Sequence, residues 1–223
     1  MTIQTYPDRE LMMVDVANTV AGDLNGALLT HDRVTLAVPG GTTPGPVFDT
    51  LSAVRLDWSR VDVLPTDERW VPEDHPRSNA GMIRRRLLAG AAAAATLVPL
   101  YRDGATPEEA APDIAAEIER RLPLSVLLLG MGEDMHTASL FPGAEGLEAA
   151  MVPDAPAVVP IRTAAAEDAR VTLSARVLDE AMAKHILITG AAKREALDRA
   201  GRLDATEAPI RQVWRGAAIH WSD

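Results

Sequence analysis

"LSVLLLGMGEDMHTASLFPG", residues 124–143, runs an almost unbroken apolar segment into a glycine-broken turn that carries Asp134 and His136. A run of this kind lacks the strict alternation of a half-exposed strand. It predicts a strand buried on both faces, as in a parallel sheet covered by helices. The same signature recurs at "VTLAV" (34–38), "VDVL" (61–64), "AVVPI" (157–161) and "HILIT" (185–189), and "AAIHW" (217–221) reads as a final strand. Helical patterns lie between these runs. Leu11, Val14, Ala17, Ala21, Leu24 and Leu28 recur at spacings of three and four, which predicts one buried stripe on a helix from Pro7 to about Leu29.

Punctuation agrees with this alternation. Ser78 is placed to cap a helix ending near Leu88, Thr106 with Pro107 and Glu109 forms a capping box with a proline at the first helical position, and Gly201 can stop a helix begun near Ala191. Pro112 would remove a hydrogen bond from the helix after Thr106, so that helix is expected to start later, near Pro112, or to kink. "LLAGAAAAATLVPLY" (87–101) reads as a helix end running into a strand, shorter than the roughly 18–20 residues needed to span a bilayer. The expectation is a single α/β domain over residues 1–223, with a mostly parallel sheet and helices on both faces.

Composition narrows the partners. The chain has 223 residues, 47% of them hydrophobic, enough for one well-buried core. Its net charge of −10 repels phosphodiester backbones and no Lys/Arg block offsets it, so no nucleic-acid partner is expected. With no cysteine there is no disulfide, thiolate nucleophile or zinc-thiolate site. "MTIQTYPDRE" lacks the basic and apolar regions of a secretory signal, and a cytoplasmic location without membrane contact is expected. His31, His75, His136, His185 and His220 never pair at i, i+3 or i, i+4, so no metal and no cofactor is expected. A monomer or weak homo-oligomer is expected.

In an open α/β sheet, ligands bind where loops leave the carboxyl ends of the strands. "PGGTTP" follows the run at 34–38, "PTDERW" that at 61–64, "GMGEDMH" that at 124–129, and "GAAKRE" that at 185–189. Gly40 and Gly41 bring backbone amides close to an anion, Thr42 and Thr43 add hydroxyls, and Pro44 suits the first helical position. The competing interpretation is a plain turn that needs glycine. A P-loop is excluded, because its lysine spacing is missing. Lys193 and Arg194 stand at a helix start, where the macrodipole disfavours cations unless an anion intervenes; alternatively both are solvated, with Arg194 paired to a nearby acid. Arg69, after Asp67 and Glu68, offers a fork for phosphate or carboxylate, or a salt bridge within its own loop. Ser139 is not in a nucleophile elbow and is expected to make a local turn bond, and Trp70 to pack. His136 itself is either an ordinary loop histidine or a base, since an unperturbed imidazole titrates near neutrality.

Taken in order, "VPGGTTP", "TDERWVPEDHPRSN", "LLLGMGEDMHTASLFPG", "RVTLSARVLDEA" and "LITGAAKREAL" resemble the 6-phosphogluconolactonases, from about Thr35 to Leu197, with HTASLFPG the most specific part. The resemblance, which extends to glucosamine-6-phosphate deaminases and ribose-5-phosphate isomerases, implies a modified Rossmann-like α/β sandwich. It implies hydrolysis of 6-phosphoglucono-δ-lactone to 6-phosphogluconate, the lactone step of the pentose phosphate pathway. His136 would be the general base on water and Asp134 its support. Gly40, Gly41, Thr42, Thr43, Asp67, Arg69, Thr137, Arg170 and Lys193 would bind the sugar phosphate. The oxyanion would go to backbone amides of a glycine turn or to a nearby cation.

Two departures stand out. Met135 occupies a position that is usually glycine, so the loop must use an ordinary backbone conformation or absorb about 1 kcal/mol or more of strain. "RTAAAEDA" (162–169) replaces a proline-rich segment common in relatives. Two alternatives remain at this level. A glucosamine-6-phosphate deaminase would carry a Gly-Phe-Asn-Glu-Pro-like run where "TASLFPG" stands, and Glu145 comes too late to match it. A sugar-phosphate-sensing module would normally bring a DNA-binding segment, for which this chain has neither room nor charge.

Overall fold

The computed structural model describes residues 2–164 and 166–223, so that Ala165 of the "RTAAAEDA" segment lies outside the described residues. The chain runs β1 (Thr2–Thr5), α1 (Arg9–Leu28), β2 (Val34–Val38), α2 (Gly45–Ser52), β3 (Val61–Pro65) and β4 (Asp67–Arg69). It continues with α3 (Asn79–Arg86), β5 (Thr96–Leu97), α4 (Pro107–Glu119), β6 (Val126–Gly130), α5 (Leu147–Met151) and β7 (Val158–Ile161). It ends with β8 (Arg170–Leu173), α6 (Ala175–Asp179), β9 (Ala183–Thr189), α7 (Ala191–Ala200) and β10 (Ala218–Ser222).

Seven strands form one parallel sheet in the order β1-β10-β9-β6-β2-β3-β5. From β2 the chain builds outward through β3 to β5; from β6 it builds the other way through β9 to β10. The direction of winding therefore reverses between the neighbours β2 and β6, and the loops leaving their carboxyl ends open a crevice there. Those loops are the Gly40–Thr43 turn and the segment that carries Asp134 and His136.

Both faces of the central strands are buried, which is why β2 and β6 read as continuous apolar runs, while the edge strands β1 and β5 are largely exposed. Val34, Leu36, Val38, Val126 and Leu128 pack with α1, α2 and α3; Ala37, Leu127 and Leu129 pack on the opposite side with α4 and α7. That second side also carries a small antiparallel sheet, β4-β8-β7, in which Asp67 faces Thr172, Glu68 faces Val171 and Arg69 faces Arg170. The "AVVPI" run is therefore a strand of this second sheet and not of the parallel one; its apolar residues are covered by α4 and α5, so burial alone does not mark the sheet it joins.

Three local expectations are corrected. Periodicity puts Leu11 and Val14 on the buried stripe of α1, but they are 51% and 41% exposed, and Met12, Met13, Val16 and Val20 fill the stripe instead. Helix α4 starts at Pro107 with its capping box intact and runs through Pro112, which lies on the exposed face where the carbonyl it leaves unbonded meets water. Pro44 is the residue before α2, and Pro46 takes the early helical position. The caps at Ser78 and Thr106 are formed as predicted, and α7 ends before Gly201. Among the described residues no helix is long and apolar enough to cross a membrane.

Candidate active site

The crevice is a cleft of about 430 Å³ whose walls include Gly40 to Thr43, Arg69, His136, Arg170 and Lys193. One wall is the turn after β2. Gly41 has φ +85°, and a Cβ on Gly40 would stand 1.9 Å from the Asn79 side chain, so both positions require glycine for separate reasons. Asn79 opens α3 and braces this wall: its Oδ1 accepts from Arg69 Nη1 at 2.7 Å, and its Nδ2 donates to the Asp67 carbonyl at 2.7 Å.

Helix α3 is pinned in turn by Glu68. Its fully buried carboxylate accepts from the backbone N–H groups of Asn79 at 2.8 Å and Ala80 at 2.7 Å and from Ser78 Oγ at 3.2 Å. Burial pushes this carboxyl upward while those backbone donors oppose the shift. A carboxylate at a helix N-terminus is well placed electrostatically, and Glu68 is committed to the scaffold.

The opposite wall follows β6. A Cβ on Gly132 would sit 2.2 Å from His136 Nδ1, so only glycine leaves space for the imidazole. Met135 takes φ +66° and Ala138 φ +49°, so the strained alternative for Met135 is the one realised. It is 8% exposed within the core, and that burial offsets the strain.

Asp134 Oδ1 lies 2.5 Å from His136 Nδ1 and accepts the His136 backbone N–H at 3.2 Å. The His136 contact holds the Asp134 carboxyl below the usual carboxylate range, against the opposing effect of burial. An ionised Asp134 assigns the ring proton to Nδ1, leaving Nε2 with no partner among the described residues. The ring, 30% exposed, stacks on Phe141 with centroids 4.3 Å apart.

Cations gather across the cleft. Arg69 and Arg170 are direct cross-strand neighbours on β4 and β8, where like charges destabilise a sheet. Each has a buried Nε without a partner among the described residues. Burial pushes the Arg170 guanidinium down, and the charge of Arg69 adds to that effect. Lys193, in the first turn of α7, makes no hydrogen bond or ion pair among the described residues, whereas Arg194 pairs with Asp198 at 3.4 Å, the alternative weighed for it.

Two predicted binding residues are placed differently. Thr137 is 1% exposed and donates to the Gly130 carbonyl at 2.8 Å, so its hydroxyl is committed to holding the loop. Asp67 borders the cleft, but its carboxylate is taken up by protein donors. Ser139 makes its local turn bond through the backbone, its carbonyl accepting from the Phe141 N–H at 3.1 Å, while its hydroxyl, which follows the left-handed Ala138, donates to the distant Asp67 Oδ2 at 2.5 Å. Asn79 and Phe141 are cleft residues to which sequence reasoning gave no role. Asn79 sat inside a recognised motif, yet its approach to Gly40 joins segments far apart in the chain and leaves no periodic signal.

The family model described as "Glucosamine-6-phosphate isomerases/6-phosphogluconolactonase" matches residues 7–221. The chain belongs to this family. Among members of the glucosamine-6-phosphate isomerase/6-phosphogluconolactonase family, the chain is 42% identical over 210 residues to a 6-phosphogluconolactonase of Pseudomonas aeruginosa, covering 92% of this chain and 88% of that one. It is 41% identical over 223 residues to one of Mesorhizobium japonicum, covering 94% and 93%. The crystal structure of a 6-phosphogluconolactonase from Shewanella baltica superposes with a TM-score of 0.96 at 29% identity, over 100% of this chain and 98% of that one. The family fold is thus present throughout, including the small antiparallel sheet that carries Arg69 and Arg170.

Proposed function

We propose that the protein hydrolyses 6-phospho-D-glucono-1,5-lactone to 6-phosphogluconate, the lactone-opening step of the pentose phosphate pathway. The observation that carries this proposal is the joint placement of a carboxylate-backed imidazole and an under-satisfied group of cations on the walls of one cleft. The names of the relatives support the same substrate.

His136 Nε2 takes a proton from water, which attacks the lactone carbonyl. Asp134 holds the ring by its Nδ1–H and stabilises the imidazolium that forms. Collapse of the tetrahedral adduct expels the ring oxygen, which receives the proton back from Nε2, so the free hydroxyl and a carboxylic acid form with the base restored, and the acid then ionises by losing its proton to solvent. The substrate phosphate is received by the Gly40–Thr43 amides and hydroxyls and by Lys193, Arg69 and Arg170. A dianion there relieves the opposition of two guanidiniums across β4 and β8 and suits the N-terminal ends of α2 and α7. Fixing the phosphate sets which carbon reaches the imidazole.

The test is hydrolysis by the purified chain, corrected for spontaneous opening, of the phosphorylated lactone beside the unphosphorylated one. Strong preference for the phosphorylated substrate is expected. Lys193→Ala raises KM by about tenfold or more with kcat much less affected, as loss of a charge-assisted contact implies. Equal turnover of the two lactones, or rates at the spontaneous background, would overturn the assignment.

A further inference from the structure

The Asp67 carboxylate and the Arg170 guanidinium lie side by side, with side chains only 8% and 14% exposed, yet they do not form a close pair: Nη1 and Oδ2 are 3.5 Å apart. The close partner of that oxygen is neutral, Ser139 Oγ at 2.5 Å, and Arg170 Nη1 reaches the same hydroxyl oxygen only at 3.4 Å. Asp67 Oδ1 is met by Asn79 Nδ2 at 3.3 Å and Thr66 Oγ1 at 3.4 Å, which are also neutral donors. Ser139 is fixed in this seat by its own N–H, which donates to Thr172 Oγ1 at 3.2 Å, and by the left-handed Ala138 before it. A buried carboxylate and guanidinium in contact normally seek a short, bidentate geometry. Here the short contact to Oδ2 that this geometry would use is made by the Ser139 hydroxyl instead.

We propose that Ser139 is a positioning residue that keeps Arg170 from collapsing onto Asp67 and so holds its guanidinium ready for the substrate anion. The proposal rests on the phosphate-binding assignment of Arg170 above. Asp67 then acts as a partly neutralised counter-ion that makes a buried guanidinium tolerable without consuming it. Phe141 completes the seat, with the Arg170 Cζ 5.3 Å from its ring centroid, so a freed guanidinium has Asp67 as its nearby acceptor.

The decisive measurement is the ratio of kcat/KM for phosphorylated over unphosphorylated lactone, together with inhibition by inorganic phosphate. Ser139→Ala lowers the ratio about tenfold and raises the phosphate inhibition constant in parallel, the size expected for losing a charge-assisted contact. Adding Asp67→Asn to Ser139→Ala restores both to within about threefold of wild type, because the competing carboxylate is gone. A serine that only satisfies the Asp67 carboxylate would shift urea midpoints in these variants and leave the ratio and the phosphate inhibition constant unchanged. Should Ser139→Ala fail to fold, Ser139→Cys, a weak donor of similar size, reads the same quantity. An unchanged ratio in Ser139→Ala, or no recovery in the double variant, overturns the proposal. Arg170→Ala separates the two levels: a loss of preference there with Ser139→Ala silent refutes only the spacer role. An unchanged preference in Arg170→Ala refutes the phosphate assignment on which that role depends.

Discussion

Gly132, Met135 and Ala138 bracket the imidazole, and each shows local backbone geometry giving way to the site. The Gly132 Cα passes so close to His136 that Gly132→Ala must displace the ring. A misplacement of about 1 Å is expected to lower kcat about 100-fold while leaving product affinity nearly intact, which steady-state kinetics with product inhibition will read. Met135 carries a less intuitive prediction. Its positive φ invites glycine, but its side chain fills the core, so Met135→Gly relieves about 1 kcal/mol of strain and forfeits about 2 kcal/mol of burial. A net loss of about 1 kcal/mol is expected in urea unfolding; a gain in stability would show that the strain outweighs the packing. Sequence made the tension at Met135 visible but not its resolution, since nothing local says which neighbours its side chain meets.

At the level of elements, α1 is tied to β9 and β10 by a chain of polar groups, buried at its histidines and half-buried at its carboxylates, separate from the cleft. Asp23 contacts His185 Nε2 at 2.7 Å, His185 Nδ1 lies 3.1 Å from His220 Nε2, His220 Nδ1 lies 2.8 Å from Tyr6 Oη, and Tyr6 donates to Asp15 at 2.6 Å. Burial and the neighbouring His185 push His220 down to about 4, with Asp15 opposing. A depressed histidine binds its proton in the unfolded chain first, so this contribution is complete above about pH 6.5 and is lost as pH falls toward 4, up to about 3 kcal/mol. Urea midpoints of wild type should fall across that window, and His220→Gln should lack that component; parallel curves would remove His220 as the source. The sequence offered these histidines only as isolated residues, because their contacts join strands and a helix at opposite ends of the chain. It was similarly silent on β4 and β8, whose short strands carry no periodic signature and whose pairing sets Arg69 against Arg170.

Across the whole molecule, the centre of the parallel sheet was the most legible part, since burial on both faces writes itself into β2 and β6 as nearly unbroken apolar runs, whereas the exposed edge strand β1 carries no such run. The crevice between β2 and β6 was legible too, through the glycines, hydroxyls and charges that follow those runs. What stayed hidden was the bracing behind the crevice: Asn79 against Gly40, Glu68 under α3, and Ser139 bonded to Asp67 beside Arg170, all of them contacts between distant segments. The proposed chemistry rests on the imidazole, and the measurement that tests it is background-corrected turnover of the phosphorylated lactone by His136→Ala beside its affinity for 6-phosphogluconate. The expected result is a fall in kcat of about 10²- to 10⁴-fold, the usual worth of a positioned general base, with product affinity changed by less than about threefold. Near-normal turnover in that variant would contradict it.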